Sequence, residues 1–283
     1  MQRIKNSWEL GKISWSVLKS DRTLVVFPIL SLLATLVVVG AFGGLIAATG
    51  IEEGPGEDSL KAIGYVFVFC AYIALAFVTT YFLGALVHAA NEHLNGRQAR
   101  VGESIGAATG KIHRILPWAV VTATVSVVLQ AMEERMGWLG VVIARLLGAA
   151  WAAVTFLTVP VIMLEDLGPI DALKRSGRLL KQTWGENLSA QVAFSLLGFV
   201  VMIPAFLVAA IGISSDNTGV IIVMVGLAVV WALIVTMVIA AMSGIFRTAL
   251  YRYAVDGTAP PAFAGAELGE AFGEKRNQGG LFN

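Results

Sequence analysis

Four residues come nearest to a reactive set: His88, Glu92 and His93 in "HAANEHLNGR", and His113 further along. Imidazoles beside a carboxylate are donors that zinc accepts, and a His–Glu pair can carry a proton. The spacing argues against both uses. His88 and His93 miss the i, i+4 register that puts two imidazoles on one helix face, and no third donor follows. His113 joins them only if the fold carries it there. Elsewhere there is no G-x-S-x-G elbow, no phosphate-cradling glycine loop and no catalytic carboxylate pair. "GAFGGLIAATG" is glycine-rich but lies inside an apolar run. Cys70 is the sole cysteine, which excludes an intrachain disulfide and a cysteine-based metal site. The residues therefore predict a protein that is not an enzyme and holds no metal and no cofactor.

Charge in unusual surroundings is the stronger signal. "DALKRSGRLLKQTW", residues 171–184, sets Lys174, Arg175, Arg178 and Lys181 on one segment between two apolar stretches. Arg145, in "GVVIARLLGAAW", is an arginine within an apolar run, seven residues past Trp138 or about 10 Å of helix rise. Its guanidinium has two readings. It snorkels to the outer headgroups or meets Glu133, Glu134 or Asp216, as a structural arginine; or it serves as counter-charge to an anionic lipid or substrate. These five cations are the candidate lipid-headgroup contacts.

The elements that must position them follow from composition. Of 283 residues, 57% are hydrophobic and 14% charged, and the mean hydropathy is +0.78. Soluble domains carry about 25% charged residues, so the chain is predicted to live in lipid. Six stretches are long enough for a hydrocarbon core of about 30 Å: 24–48, 62–87, 116–132, 138–163, 188–213 and 219–246. Backbone polar groups cannot stay unpaired there, and nothing alternates with a two-residue period, so all six are read as helices. The first apolar run exceeds the length of a signal-peptide core and is read as an uncleaved span.

Cation placement sets direction. Arg3 to Arg22, Arg97 to Arg114, Lys174 to Lys181 and Arg247 to Arg276 put 17 of the 20 lysines and arginines on one side. The loop "GIEEGPGEDSLK" on the other side is acidic. Both ends are therefore expected on the cytoplasmic side of the inner (cytoplasmic) membrane. The reading is an all-α polytopic bundle, with residues 1–255 as the membrane domain and 256–283 as an irregular cytoplasmic tail after Asp256-Gly257 and Pro260-Pro261.

Each inner approach to an odd-numbered span carries an amphipathic segment. Ile4, Trp8, Trp15 and Leu18 form the first apolar stripe; Val101, Ile105, Ala108, Ile112 and Ile115 the second; Ile170, Leu173, Gly177, Leu180 and Trp184 the third. Helices with tryptophan on one side and cations beside it suit the headgroup boundary. The cations of the third either bind anionic lipid or only fix topology while the stripe packs on the protein itself. Three units of interfacial helix plus two-span hairpin result, as a rhythm of hydropathy.

Small residues recur at four-residue spacing as Gly140, Ala144, Gly148 and Ala152, and as Gly40, Gly44 and Ala48. They predict close helix packing, within the bundle ahead of homodimerisation. Pro204 predicts a kink in the fifth span. Arg247, Tyr251, Arg252 and Tyr253 predict a juxtamembrane anchor.

The phrases "VPVIMLEDLGPIDALKRSGRLLKQTWGENL" and "IFRTALYRYAVDGTAPPAF", with "SWELGKISWSVLKSDRTLVVFPILS" at the start, resemble a bacterial and archaeal family of integral membrane proteins catalogued as a domain of unknown function. A looser likeness is to the membrane domain attached to some glycerophosphodiester phosphodiesterases, whose catalytic barrel this chain lacks. The resemblance implies six spans and no particular chemistry. Two functions are compatible with it. One is a non-enzymatic protein that organises lipid or supports a membrane complex; the other is a transporter or flippase for a lipid-like amphipathic molecule, with Pro204 at a gate and Arg145 receiving the headgroup. Expected partners are membrane lipids, anionic ones in particular, with a protein partner or self-association left open. No nucleic acid is expected.

Overall fold

A computed structural model of the chain describes residues 12–49, 58–135, 137–184, 189–215, 217–258, 260 and 263; of 49, 58–63, 182–184 and 189–197 it describes the backbone alone. Among these residues no strand occurs. A helix over residues 12–20 (α1) and a 3-10 turn Arg22–Val25 lead into α2, Val26–Thr49. Then follow α3 (Asp58–Leu94), α4 (Val101–Gly110), α5 (Ile112–Arg135), α6 (Gly137–Val154), α7 (Thr158–Leu164), α8 (Pro169–Trp184), α9 (Ser189–Ile213) and α10 (Thr218–Asp256). Short helix followed by long pair occurs three times, as α1 with α2–α3, α4 with α5–α6, and α8 with α9–α10, while α7 falls outside the rhythm.

Among the described residues five segments are long and apolar enough to cross a membrane: Arg22–Ala48, Gly64–Leu94, Ile112–Arg135, Gly137–Leu164 and Thr218–Asp256. The sixth apolar stretch forms α9, whose described side chains begin at Gly198. Large apolar side chains cover the outside of these helices: Leu33, Leu36 and Val37 on α2, Phe206 and Leu207 on α9, Ile222 on α10 are all more than half exposed. In water so continuous an apolar surface would drive aggregation; against acyl chains it carries no penalty. The chain is an all-α membrane protein.

The packing divides into two units, Val26–Gly177 and Met1–Val25 with Arg178–Asn283. In the first, α3 packs against α2, α4, α5 and α7, and α5 against α6. Its core gathers at the C-terminal end of α3, where Ala85, Val87, Ala89 and Ala90 are sealed, together with Ile115 and Trp118 of α5 and Ile162 of α7. Trp118 stacks on Trp151 of α6 with centroids 6.0 Å apart. The small-residue row on α6 is used internally. Gly140 and Ala144 are buried, and a methyl at Gly148 would rest 3.7 Å from Leu129 Cδ1 of α5. Ala152, the fourth member, is exposed, and Gly40 and Gly44 of α2 face open space.

In the second unit α9 and α10 form an antiparallel hairpin. Asn217 caps α10, its Oδ1 accepting from Gly219 N at 2.9 Å and Val220 N at 3.4 Å. Pro204 cannot donate to the carbonyl four residues back, and its ring crowds the preceding turn of α9. Trp231 of α10 docks beside this disturbance: its Nε1–H donates to the Val201 carbonyl, one residue on from the freed Val200 carbonyl, at 3.0 Å. α10 continues to Asp256 and stops at Gly257, which takes φ +69° and returns its N–H to the Tyr253 carbonyl.

Several expectations change. The stretch 138–163 is two helices, for a reason given below. The segment 101–115 is likewise broken, at Lys111, so Ile112 leaves the apolar stripe and is 36% exposed. In α1 the buried face is Ser14, Val17 and Leu18, whereas Trp15 is outside it with Lys19 Nζ 5.4 Å from its ring. Tyr251 is buried and is no headgroup anchor. Ile4, Trp8, the acidic loop 50–57, Asp216, the side chains of Trp184 and Gln191, and the tail from 264 onward lie outside the described residues.

Helix contact in the hairpin is closest at Gly212, where an added Cβ would sit 2.5 Å from Met224 Cβ. A Cβ cannot swing aside, so the helices must part. Gly212→Ala is expected to cost about 1–3 kcal/mol and lower the unfolding midpoint in detergent by several degrees. Gly40→Ala, with nothing within 4 Å, should leave the midpoint level or raised; size-exclusion-resolved thermal melts of the two variants check both.

Candidate functional site

The polar residues of the signature phrase converge where the fourth apolar stretch breaks. Pro160 has no N–H and its ring collides with a helical carbonyl four residues earlier, at Phe156. The helix therefore stops at Val154 and restarts at Thr158, which leaves Pro160 in the first turn of α7, where no donor is needed. Between them Phe156 N turns to the Ala153 carbonyl at 3.2 Å, and Thr158 N to the Thr155 carbonyl at 3.0 Å. Those tight turns take the partners of two backbone groups, the Leu157 N–H and the Val154 carbonyl. Ser176 of α8 supplies both. Its Oγ donates to Val154 O at 2.6 Å and accepts from Leu157 N at 3.1 Å. At neighbouring Gly177 an added Cβ would make ordinary contact, 3.5 Å from Val154 Cγ1.

The buried face of α8 is thus Ala172, Ser176 and Leu179. The apolar stripe of Ile170, Leu173, Gly177 and Leu180 lies one residue or about 100° away, and Ile170 is 51% exposed. Apolar size alone does not pick out the docked face, because what docks is a hydroxyl between small neighbours.

Two further contacts hold the α7–α8 connection. Arg175 Nε donates to both Glu165 carboxylate oxygens, at 3.0 and 3.1 Å. Lys111, at the α4–α5 junction, donates to the Met163 carbonyl at 2.9 Å, where α7 runs out of intrahelical donors. Lys111 Nζ also lies 3.0 Å from Asp166 Oδ1, and Arg114 Nη1 lies 2.9 Å from the same oxygen. Asp166 has φ +58°, a left-handed conformation that aspartate tolerates better than most residues. The hydrogen bond from Lys111, with the charges of Lys111 and Arg114, holds its carboxyl below the usual aspartate range against a smaller opposing effect of desolvation.

The candidate cations thus fall into different places. Arg175 is committed to Glu165. Lys174, Arg178 and Lys181 are exposed, on the same side of α8 as Ile170; Lys174 Nζ is 3.8 Å from Asp171 Oδ1, a solvated pair. Arg145 is elsewhere, exposed on α6. Glu134, one of its expected partners, accepts instead from Gln130 Nε2 at 3.0 Å, and Gln130 accepts from Tyr72 at 2.6 Å.

The histidines do not assemble. His88 Nδ1 is 3.2 Å from Ser104 Oγ, pinning α4 to α3. Glu92 pairs with Arg97 through two bonds of 2.5 and 2.9 Å. His113 Nε2 accepts from Arg114 Nε at 3.0 Å. Among the described residues no group of three His, Cys, Asp or Glu side chains is placed to hold a metal. Sequence reasoning missed Ser176, Glu165 and Asp166. The available signal was Pro160 inside a span-length run, which obliges a break and hence a side chain to repair it.

Apolar helices broken and mended by a basic amphipathic helix define the class, a helical membrane protein with a boundary helix built into its fold. Residues 62–261 match the model of a family of unknown function, DUF6159, and the chain belongs to that family. No match is found among curated proteins or among solved structures, and nothing ties the chain to glycerophosphodiester phosphodiesterases.

Ser176→Ala strands two buried backbone groups and is expected to cost about 1–3 kcal/mol, whereas Ser176→Thr keeps the hydroxyl; denaturation in mild detergent should separate them. A carboxyl whose pKa is depressed on folding stabilises the fold above its unfolded pKa of about 3.9 and loses that contribution as pH falls through the folded value. The difference in melting midpoint between wild type and Asp166→Asn should therefore be full near pH 7 and close on acidification below about pH 4.

Proposed function

We propose that the chain is a multi-pass protein of the cytoplasmic membrane that performs no chemistry of its own and gathers anionic lipid at its inner surface through α8. The six-span reading, with both ends cytoplasmic, rests on the cation asymmetry and on six apolar helical stretches. One observation carries the lipid reading. α8 is fastened by Ser176 and Arg175, and this leaves Lys174, Arg178 and Lys181 exposed together beside Ile170. A helix held in this way presents an apolar edge at acyl depth and cations at phosphate depth. Each exposed cation contributes about 1 kcal/mol near an anionic leaflet, so the three supply about 3 kcal/mol of preference. Arg175 adds nothing to this sum, because Glu165 already neutralises it. The transporter reading needs Arg145 to line an enclosed path, and its exposure on α6 lends that reading no support.

The experiment is lipid selectivity of the full-length protein in bilayers of phosphatidylcholine with increasing phosphatidylglycerol, read by quenching with brominated lipid. Wild type should enrich phosphatidylglycerol, and high salt should erase the enrichment. Lys174→Gln/Arg178→Gln/Lys181→Gln should lower it severalfold at low salt, while Arg175→Gln lowers thermal stability and keeps the selectivity of the folded fraction. Unchanged selectivity in the triple variant would remove the proposal.

A further inference from the structure

Arg145 sets a separate problem, because α6 exposes a full positive charge on a surface made for acyl chains. The exposed stripe at helical spacing reads Trp138, Val142, Arg145, Ala149 and Ala152. Trp138 is 76% exposed at the first turn, and Val142 and Leu146 beside the arginine are 48% and 67% exposed. An unpaired guanidinium at such a place costs a few kcal/mol or more, so it draws in water or a counter-anion. Glu134, one of the carboxylates considered for this role, accepts from Gln130.

Geometry favours an answer from the membrane itself. Side chains on a helix lean toward its N-terminus, which for α6 is the Gly137 end. Arg145 lies about 10 Å from Trp138 along the axis, and its long side chain leans back over most of that rise. Tryptophan settles at headgroup level, so the guanidinium arrives just beneath the phosphates. On the other side of Arg145 the stripe continues in small residues, Ala149 and Ala152, both exposed. A planar fork of donors fits a phosphodiester, which accepts two parallel hydrogen bonds.

We infer that Arg145 and Trp138 form a phospholipid site on α6, the arginine gripping the phosphate and the Ala149–Ala152 strip seating a tail. The site goes beyond the reading of α8 and does not depend on it, since it uses a different helix and selects for phosphate rather than for net charge at a surface. Titration of the full-length protein in detergent, followed by native mass spectrometry, tests it. The probes are dioleoyl phosphatidylglycerol and a galactolipid with the same tails and no phosphate. Wild type should retain the phospholipid over the galactolipid; Arg145→Gln should weaken retention about tenfold, Arg145→Lys less so, and Arg135→Gln not at all. Because Arg145 is exposed, its variants should fold as wild type does. Equal retention by Arg145→Gln, equal binding of the galactolipid, or displacement by millimolar inorganic phosphate would each overturn the inference. Loss of phosphatidylglycerol selectivity in the α8 triple variant alone would leave it standing.

Discussion

A backbone amide that loses its helical partner inside lipid has no water to turn to, and this fold is arranged around that constraint. Where proline interrupts a long apolar helix, a side chain from another helix docks on the disturbed turn. Ser176 takes up both loose groups of the break before Pro160, and Trp231 donates to the Val201 carbonyl in the turn before Pro204. Lys111 closes the last turn of α7 in the same spirit. Each repair joins two elements that are distant in sequence. Hydrogen bonding here specifies tertiary structure as well as local structure.

That logic divides the cations into two groups. Lys111, Arg114 and Arg175 hold carboxylates and carbonyls of the α7–α8 connection. Lys174, Arg178 and Lys181 point away from it. A count of positive charge treats the two groups alike, and as a topology signal they are alike. Their chemistry differs, because the charge of Arg175 is already balanced by Glu165.

The long elements were legible because hydrocarbon thickness is a ruler that sequence must satisfy. Every apolar stretch of sufficient length is a helix, and the observed ends differ mainly by running on, as α3 does to Leu94 and α10 to Asp256. The interior of the site was less legible. Ser176 looked like a neutral spacer among cations, since nothing in its immediate neighbours shows that Val154 and Leu157 need it. The docked face of α8 was hidden for the same cause: pattern reading rewards leucine and isoleucine, and the contact is made by Ala172, Ser176 and Leu179. The spacing of the histidines gave no hint of their partners: His88 lies against Ser104, and His113 accepts from Arg114.

The uninterrupted length of α10 has a mechanical corollary. Thirty-nine residues make a rod of about 58 Å, against a hydrocarbon slab of about 30 Å. The surplus is no free arm, since Ala241, Met242, Ile245, Phe246, Ala249, Leu250 and Tyr251 near its C-terminal end are buried in the protein. When the slab thins or thickens, a rod of fixed greasy length adapts by leaning, and here it leans only as far as that packing yields.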